Sequence, residues 1–141
     1  MAERFVDYEG LCLVSGYGEV GYNIQSDSLL KAYLFTFPYK QCSRNNPNID
    51  MDLMICTSIQ VADIGRGDSG GPLVYSNNYG DKNSRTLIGI ASGTYEGTNS
   101  FFTRVSAYQD FIRAAKNHCK EDTSFYYFVV HTFIVLLYTF I

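Results

Sequence analysis

Gly67-Asp68-Ser69-Gly70-Gly71-Pro72 constrains this chain more than any other stretch. Glycine at 67, 70 and 71 removes the Cβ clashes that would forbid a tight turn, so the segment reads as a sharp bend that displays one serine hydroxyl. Acyl-transfer chemistry needs that arrangement: a hydroxyl nucleophile beside backbone N–H donors that can hold a developing oxyanion. Residues of these types also make ordinary turns between strands. The ordered run of six, with the matches described below, favours the catalytic reading.

Around the bend, short apolar or alternating runs are separated by turn clusters, the pattern of an all-β domain. The spacing predicts strands over Leu11–Tyr17, Leu29–Phe37, Pro72–Tyr75, Thr86–Ala91 and Phe101–Val105. Asn45–Asn48, with Pro47, reads as a loop, and the polar Asn77–Ser84 as a hairpin tip. Ser106–Lys116 places Ala107, Phe111, Ile112 and Ala115 near helical spacing, with Ser106 as a candidate N-cap. A chain of 141 residues is one domain by length. Its net charge is −3 and no basic run occurs, so nucleic-acid binding has no support.

Several segments together resemble the chymotrypsin/trypsin family of serine proteases. The six-residue bend resembles that family's nucleophile motif. Leu11-Cys12-Leu13-Val14-Ser15-Gly16-Tyr17-Gly18 resembles the C-x-x-S-G-W-G strand that opens its second barrel, with Tyr17 where tryptophan is usual. Met54-Ile55-Cys56 resembles the M-x-C run upstream of the serine, and Gly89-Ile90-Ala91-Ser92 the strand lining the substrate cleft. Phe102-Thr103-Arg104-Val105 through Ile112 resembles the closing strand and C-terminal helix. The resemblance implies the second, C-terminal β-barrel of a trypsin-like domain with a C-terminal helix over residues 5–119, followed by a hydrophobic tail over 120–141.

The resemblance also assigns roles. Ser69 is the expected nucleophile, Gly67 and Ser69 the expected oxyanion donors, and Asp68 the aspartate that pairs with a newly cut amino terminus in the family. Asp63, six residues before Ser69, falls at the base of the primary specificity pocket, where a carboxylate pairs with Arg or Lys. Ser92, Gly93 and Thr94 stand for the usual S-W-G, and Ser100 where glycine commonly lines the wall. A trypsin-like preference follows, with an elastase-like pocket narrowed by Thr94 as the alternative. The substrate would be protein or peptide, and no cofactor or metal is implied.

Two absences qualify this. The family's His and Asp precede the serine and come from its first barrel. Here both histidines, His118 and His131, follow Ser69. A serine without a base is a weak nucleophile, so the chain as written reads as a truncated and poorly active serine endopeptidase, or alternatively as a non-catalytic binding or regulatory protein. No Ile-Val-Gly-Gly-like start is visible either, so Asp68 is expected to lack its partner and the Gly67–Ser69 loop to be zymogen-like.

By the same resemblance Cys42 and Cys56 pair across a short loop, which implies an oxidising, extracellular compartment. The other bridges have lost a partner: Tyr75 stands where a cysteine would meet Cys12, and Gly65 where another is usual. Cys12 is then a free buried thiol and Cys119 unpaired or intermolecular, though a Cys12–Cys119 bridge is also open. Zinc has no C-x-x-C or H-x-x-H spacing to hold it. The N-terminus shows no secretory signal.

From Thr123 to Ile141 there is no charged residue, and Phe125–Ile141 is rich in Phe, Val, Ile, Leu and Tyr. Three readings stand for it: a membrane anchor at the short end of the spanning range, a removable glycolipid-anchor signal, or an extra strand or read-through segment. A lone second barrel would also leave an apolar face uncovered, with Tyr17, Phe35 and Phe37 as candidates.

Overall fold

The computed structural model describes residues 6–60, 62–76, 84–95 and 99–117. They fall in two units, residues 1–107 and residues 108–141. In the first unit the chain runs β1 (Gly10–Gly16), β2 (Glu19–Gly21), β3 (Ile24–Gln25), β4 (Leu30–Thr36), α1 (Tyr39–Asn45), β5 (Met54–Ser58), β6 (Pro72–Ser76), β7 (Arg85–Tyr95) and β8 (Asn99–Arg104). Six strands close into an antiparallel barrel in the order β1-β4-β5-β8-β7-β6, with β6 returning to pair with β1. Closure gives each of the six barrel strands a neighbour on both sides, though β4 and β5 meet only at Thr36 and Thr57. A 3-10 turn over Val105–Tyr108 leads into α2, residues 109–117, in the second unit. The fold is therefore the expected one, mostly β with a barrel and a short C-terminal helix.

Strand alternation builds two cores from one wall. On β1, Cys12 and Val14 point inward; on β4, Leu34 and Thr36 do. Adjacent residues of a strand face opposite ways, so Phe102 joins the barrel interior with Val14, Leu34, Ile55, Leu73, Ile88 and Ala91, while Phe101 joins a second cluster. That cluster holds Cys42, Met51 and Cys56 and lies where α1 meets β5. A disulfide between Cys42 and Cys56, 14 residues apart, ties the two elements. The pairing implied by the family resemblance is thus formed.

Most buried polar groups find partners on the strands, although Thr57 Oγ1 and Arg104 Nε have none among the described residues. Thr36 is fully buried; its hydroxyl accepts from the Gly10 N–H at 2.9 Å and donates to the Tyr8 carbonyl at 2.8 Å. Asn46 caps the end of α1 by donating to the Cys42 carbonyl at 3.2 Å, and Asn99 donates to the Thr57 carbonyl at 3.1 Å. Arg104 donates to the Met51 and Met54 carbonyls at 3.3 and 3.0 Å and pairs with Asp7 at 3.5 Å. A single guanidinium thereby secures the segment before β5 to the end of β8, which gives the Thr103-Arg104-Val105 run a structural reason.

Several expectations are corrected. β5 is a strand that the alternation did not announce, because Ile55, Cys56 and Thr57 are all buried. α1 and the β2–β3 hairpin were also unforeseen; the hairpin turns through Asn23 at φ +56°. Ser106 lies inside the 3-10 turn, so α2 begins two residues later than a Ser106 cap would place it. Phe111 is 73% exposed. Phe37 packs against the disulfide cluster, whereas Tyr17 and Phe35 remain about half exposed, at 55% and 52%. Residues 118–141, with His118, Cys119, His131 and the apolar tail, and most of the Asn77–Ser84 tip lie outside the described residues. Among the described residues no helix is long and apolar enough to cross a membrane.

Candidate active site

The serine bend sits between the segment after β5 and the start of β6. Gly67 and Gly70 adopt φ of +96° and +85°, a region that L side chains rarely enter. These two glycines bracket Asp68 and Ser69. Two short turns fold the bend: the Asp68 N–H donates to the Gly65 carbonyl at 3.1 Å, and the Gly71 N–H to the Asp68 carbonyl at 2.9 Å. β7 then pins it. The Gly70 N–H donates to the Ala91 carbonyl at 2.9 Å, and the Ala91 N–H to the Gly71 carbonyl at 2.8 Å. Ser69 is left exposed on the bend, next to the strand that continues into Ser92. Among the described residues neither the Gly67 nor the Ser69 N–H has a partner.

Asp68 turns inward beneath the bend. Its Oδ1 accepts from the Gly18 N–H and its Oδ2 from the Gly65 N–H, each at 2.8 Å. A Cβ at 16 or 18 would overlap the Asp68 carboxylate and displace it. Beside the carboxylate lies a cavity of about 170 Å³, walled by apolar groups including Val14, Leu30, Ala32, Ile64 and Phe102. No cation pairs with Asp68 among the described residues, yet the carboxylate is not idle. Two backbone amides, one from the end of the β1 turn and one from its own loop, hold it in place.

A second group forms around Asp63. Its Oδ1 accepts from the Ile64 N–H at 2.8 Å and from the hydroxyl of Ser100, a fully buried residue of β8. Burial pushes the Asp63 carboxyl above its ordinary value, and the Ile64 hydrogen bond offsets part of that. Thr94 pairs with Ser100 across the β7–β8 ladder, and Ser92 lies at the register shift between Ala91 and Gly93. Nothing stands within 4 Å of where a Gly93 Cβ would be, so the space beside it is open. Gly67, Asp68 and Ser69 lie on the bend, Asp63 meets Ser100, which pairs with Thr94, at the β7–β8 wall, and Asp63 and Asp68 line one cavity. Ser92 connects bend and wall through Ala91.

Sequence reasoning missed Gly18, Gly65 and Ala91 as the backbone partners that hold the bend. Backbone donors leave no side-chain signature; the Gly16-x-Gly18 spacing was the available hint. Among the described residues no group of three or more His, Cys, Asp or Glu gathers to hold a metal. Cys12 is free and buried, directly opposite Tyr75 in the β1–β6 ladder. Burial pushes its thiol up to about 12, with a Thr36 hydrogen bond working the other way.

The comparisons with known proteins agree with the geometry. The family model described as Trypsin matches residues 3–112. The chain belongs to the trypsin family. It is 31% identical over 115 residues to Trypsin 5G1 of Aedes aegypti, which covers 74% of this chain and 40% of that protein. It is 32% identical over 110 residues to Melanization protease 1 of Drosophila melanogaster, covering 71% of this chain and 27% of that one. Among solved structures, mouse neuropsin, a serine protease expressed in the limbic system, superposes with a TM-score of 0.68 at 25% identity, over 82% of this chain and 52% of its own. The chain spans less than half the length of the two insect relatives.

Proposed function

We propose that this trypsin-family barrel supplies the nucleophile and oxyanion donors of a serine endopeptidase acting on protein or peptide substrates. One observation carries the reading: an exposed Ser69 on a glycine-built bend, with the Gly67 and Ser69 N–H groups unpartnered and the bend held from below by Asp68. In the proposed step Ser69 Oγ attacks the scissile carbonyl carbon and its proton passes to a base from outside the described residues. The carbonyl π electrons move onto oxygen, and the two amides stabilise that oxyanion by about 3 kcal/mol per donor. Collapse expels the amine, which takes a proton, and leaves the acyl group on Ser69. The Cys42–Cys56 bridge fits a secreted, oxidising location. Asp63, with Ser92, Thr94 and Ser100, forms the side-chain pocket and selects basic residues.

No histidine precedes Ser69 in this sequence. Fluorophosphonate labelling tests the site without one. Oxyanion donors alone retain roughly 10³-fold catalysis in comparable enzymes. The native chain is expected to label at Ser69 at least about 10²-fold faster than the urea-unfolded chain, with labelling lost in Ser69→Ala. Equal rates in the two states would refute the proposal.

A protease-like module that binds without cutting is favoured by a separate observation. β1 and β4 present Leu11, Tyr33 and Phe35 to solvent, with Leu11 and Phe35 directly paired. Slow labelling together with partner capture on that face would support it.

A further inference from the structure

We propose that the cavity bounded by Asp7, Asp52 and Ser106 is a second binding site, and that it takes a primary ammonium carried on an apolar stem. The cavity measures about 450 Å³, within the range of small-ligand pockets, and shares no lining residue with the cavity beside Asp68. It uses neither the serine bend nor Asp63, so the inference stands whether or not Ser69 is reactive. Val6, Met51, Leu53 and Ala107 give it apolar walls, and Asp7, Asp52, Arg104 and Ser106 supply its charged and hydroxyl groups.

Those groups select the sign of the ligand's charge. Arg104 is the one cation among the described lining residues, and it is engaged. Its terminal nitrogens bond to the Met51 and Met54 carbonyls at 3.3 and 3.0 Å and reach Asp7 Oδ1 at 3.5 Å. An anion would find that guanidinium committed and two carboxylates opposing it. Asp52 is exposed, and its carboxylate has no partner among the described residues. Asp7 accepts two long contacts, from Arg104 and from the Tyr39 N–H at 3.4 Å, and so keeps lone-pair sites to spare. Two carboxylates against one guanidinium leave a negative charge for a ligand to balance.

Ser106 points to a ligand independently. It is 6% exposed and lines the cavity, yet its hydroxyl has no hydrogen-bond partner among the described residues. Buried polar side chains are seldom left so. Its oxygen can accept one ammonium proton while the carboxylates accept the others, because an ammonium is a compact donor with three rotatable protons. A hard divalent cation such as calcium would need about six to eight oxygens around it, and the apolar walls do not supply them.

Hexylamine, hexanol and hexanoate share a stem and differ in head group. They test the site on the full chain, with binding read from the Leu53 and Ala107 amide resonances. Hexylamine is expected to bind saturably and about tenfold tighter than the other two, the worth of one charge-assisted bond. Asp52→Asn should weaken it about fivefold, the upper worth of an exposed ion pair, and leave hexanol unchanged. Ser106→Ala should weaken it about threefold, again without moving hexanol. A capped lysine peptide distinguishes the sources of such a group. If it displaces hexylamine, the ligand is a side chain of a partner protein; if it does not, the ligand is a free amine. Equal binding of the three probes, no saturable shift with hexylamine, or an affinity unmoved by Asp52→Asn overturns the proposal. Displacement of hexylamine by calcium ions, with shifts of the same resonances, overturns it in favour of a metal site.

Discussion

Two irregular segments are fastened to the barrel by opposite means. At one corner α1 is joined to β5 by the Cys42–Cys56 bridge. At another the serine bend is joined to the turn after β1 by the Asp68 carboxylate, which accepts the Gly18 and Gly65 amides. The covalent tie persists in the unfolded chain and acts mainly by limiting that chain's freedom. The carboxylate tie exists only in the folded state and competes with water. The disulfide corner therefore responds to redox conditions and the serine corner to anything that displaces a charge. A bend that must stay adjustable around a reacting group is better served by the second kind.

The contrast can be broken by removing either fastening. Reducing the bridge, or replacing both cysteines by serine, should cost about 3 kcal/mol in denaturant melts for a loop of this length, with the Ser69 labelling rate little changed. Asp68→Ala should cost less, about 2 kcal/mol, through two lost charge-assisted bonds and two stranded amides. It should nonetheless abolish the labelling advantage of the native state. Matching losses of labelling in both variants would erase the distinction between the corners.

Cys12 sharpens the comparison, because it is a cysteine in no disulfide. The folded chain keeps the thiol proton to about pH 12, whereas an ordinary thiol releases it near 9. Between those values the folded state binds more protons than the unfolded one, so stability falls as pH rises, by up to about 1.4 kcal/mol per unit. Cys12→Ala should flatten that alkaline slope in equilibrium unfolding. The native thiol should also resist a thiol reagent at pH 8 that reacts promptly after urea unfolding. The smallest effect belongs to Asp63. Its folded carboxyl binds a proton more tightly than the ordinary 3.8, so ionisation works against folding above that value. Asp63→Asn keeps the acceptor for Ile64 and Ser100 and should raise Tm slightly at neutral pH. The difference should vanish as pH falls below 3.8.

Much of this was legible because strand alternation and turn residues act locally. The expected strand at Leu11–Tyr17 is β1 shifted by one residue, and those at Leu29–Phe37 and Pro72–Tyr75 are β4 and β6 within a residue at each end. β5 escaped because a strand buried on both faces has no polar alternation to betray it. β7 runs four residues past Ala91 because the Ser92-Gly93 register shift hides its continuation. The serine bend was legible in its glycines. What holds it was not, since Gly18, Gly65 and Ala91 contribute through main-chain groups that every residue carries. The Ser100–Asp63 contact joins residues 37 apart and becomes visible only once β8 lies beside the loop.

Ala91 has a consequence of its own. It is 6% exposed within the barrel interior, yet its backbone exchanges two hydrogen bonds with the serine bend. The packing of hydrocarbon inside the barrel and the aim of a surface hydroxyl are therefore mechanically the same variable. Substitutions that change interior volume near Ala91, with no residue of the cleft altered, are a route by which descendants of this chain can retune or silence their chemistry.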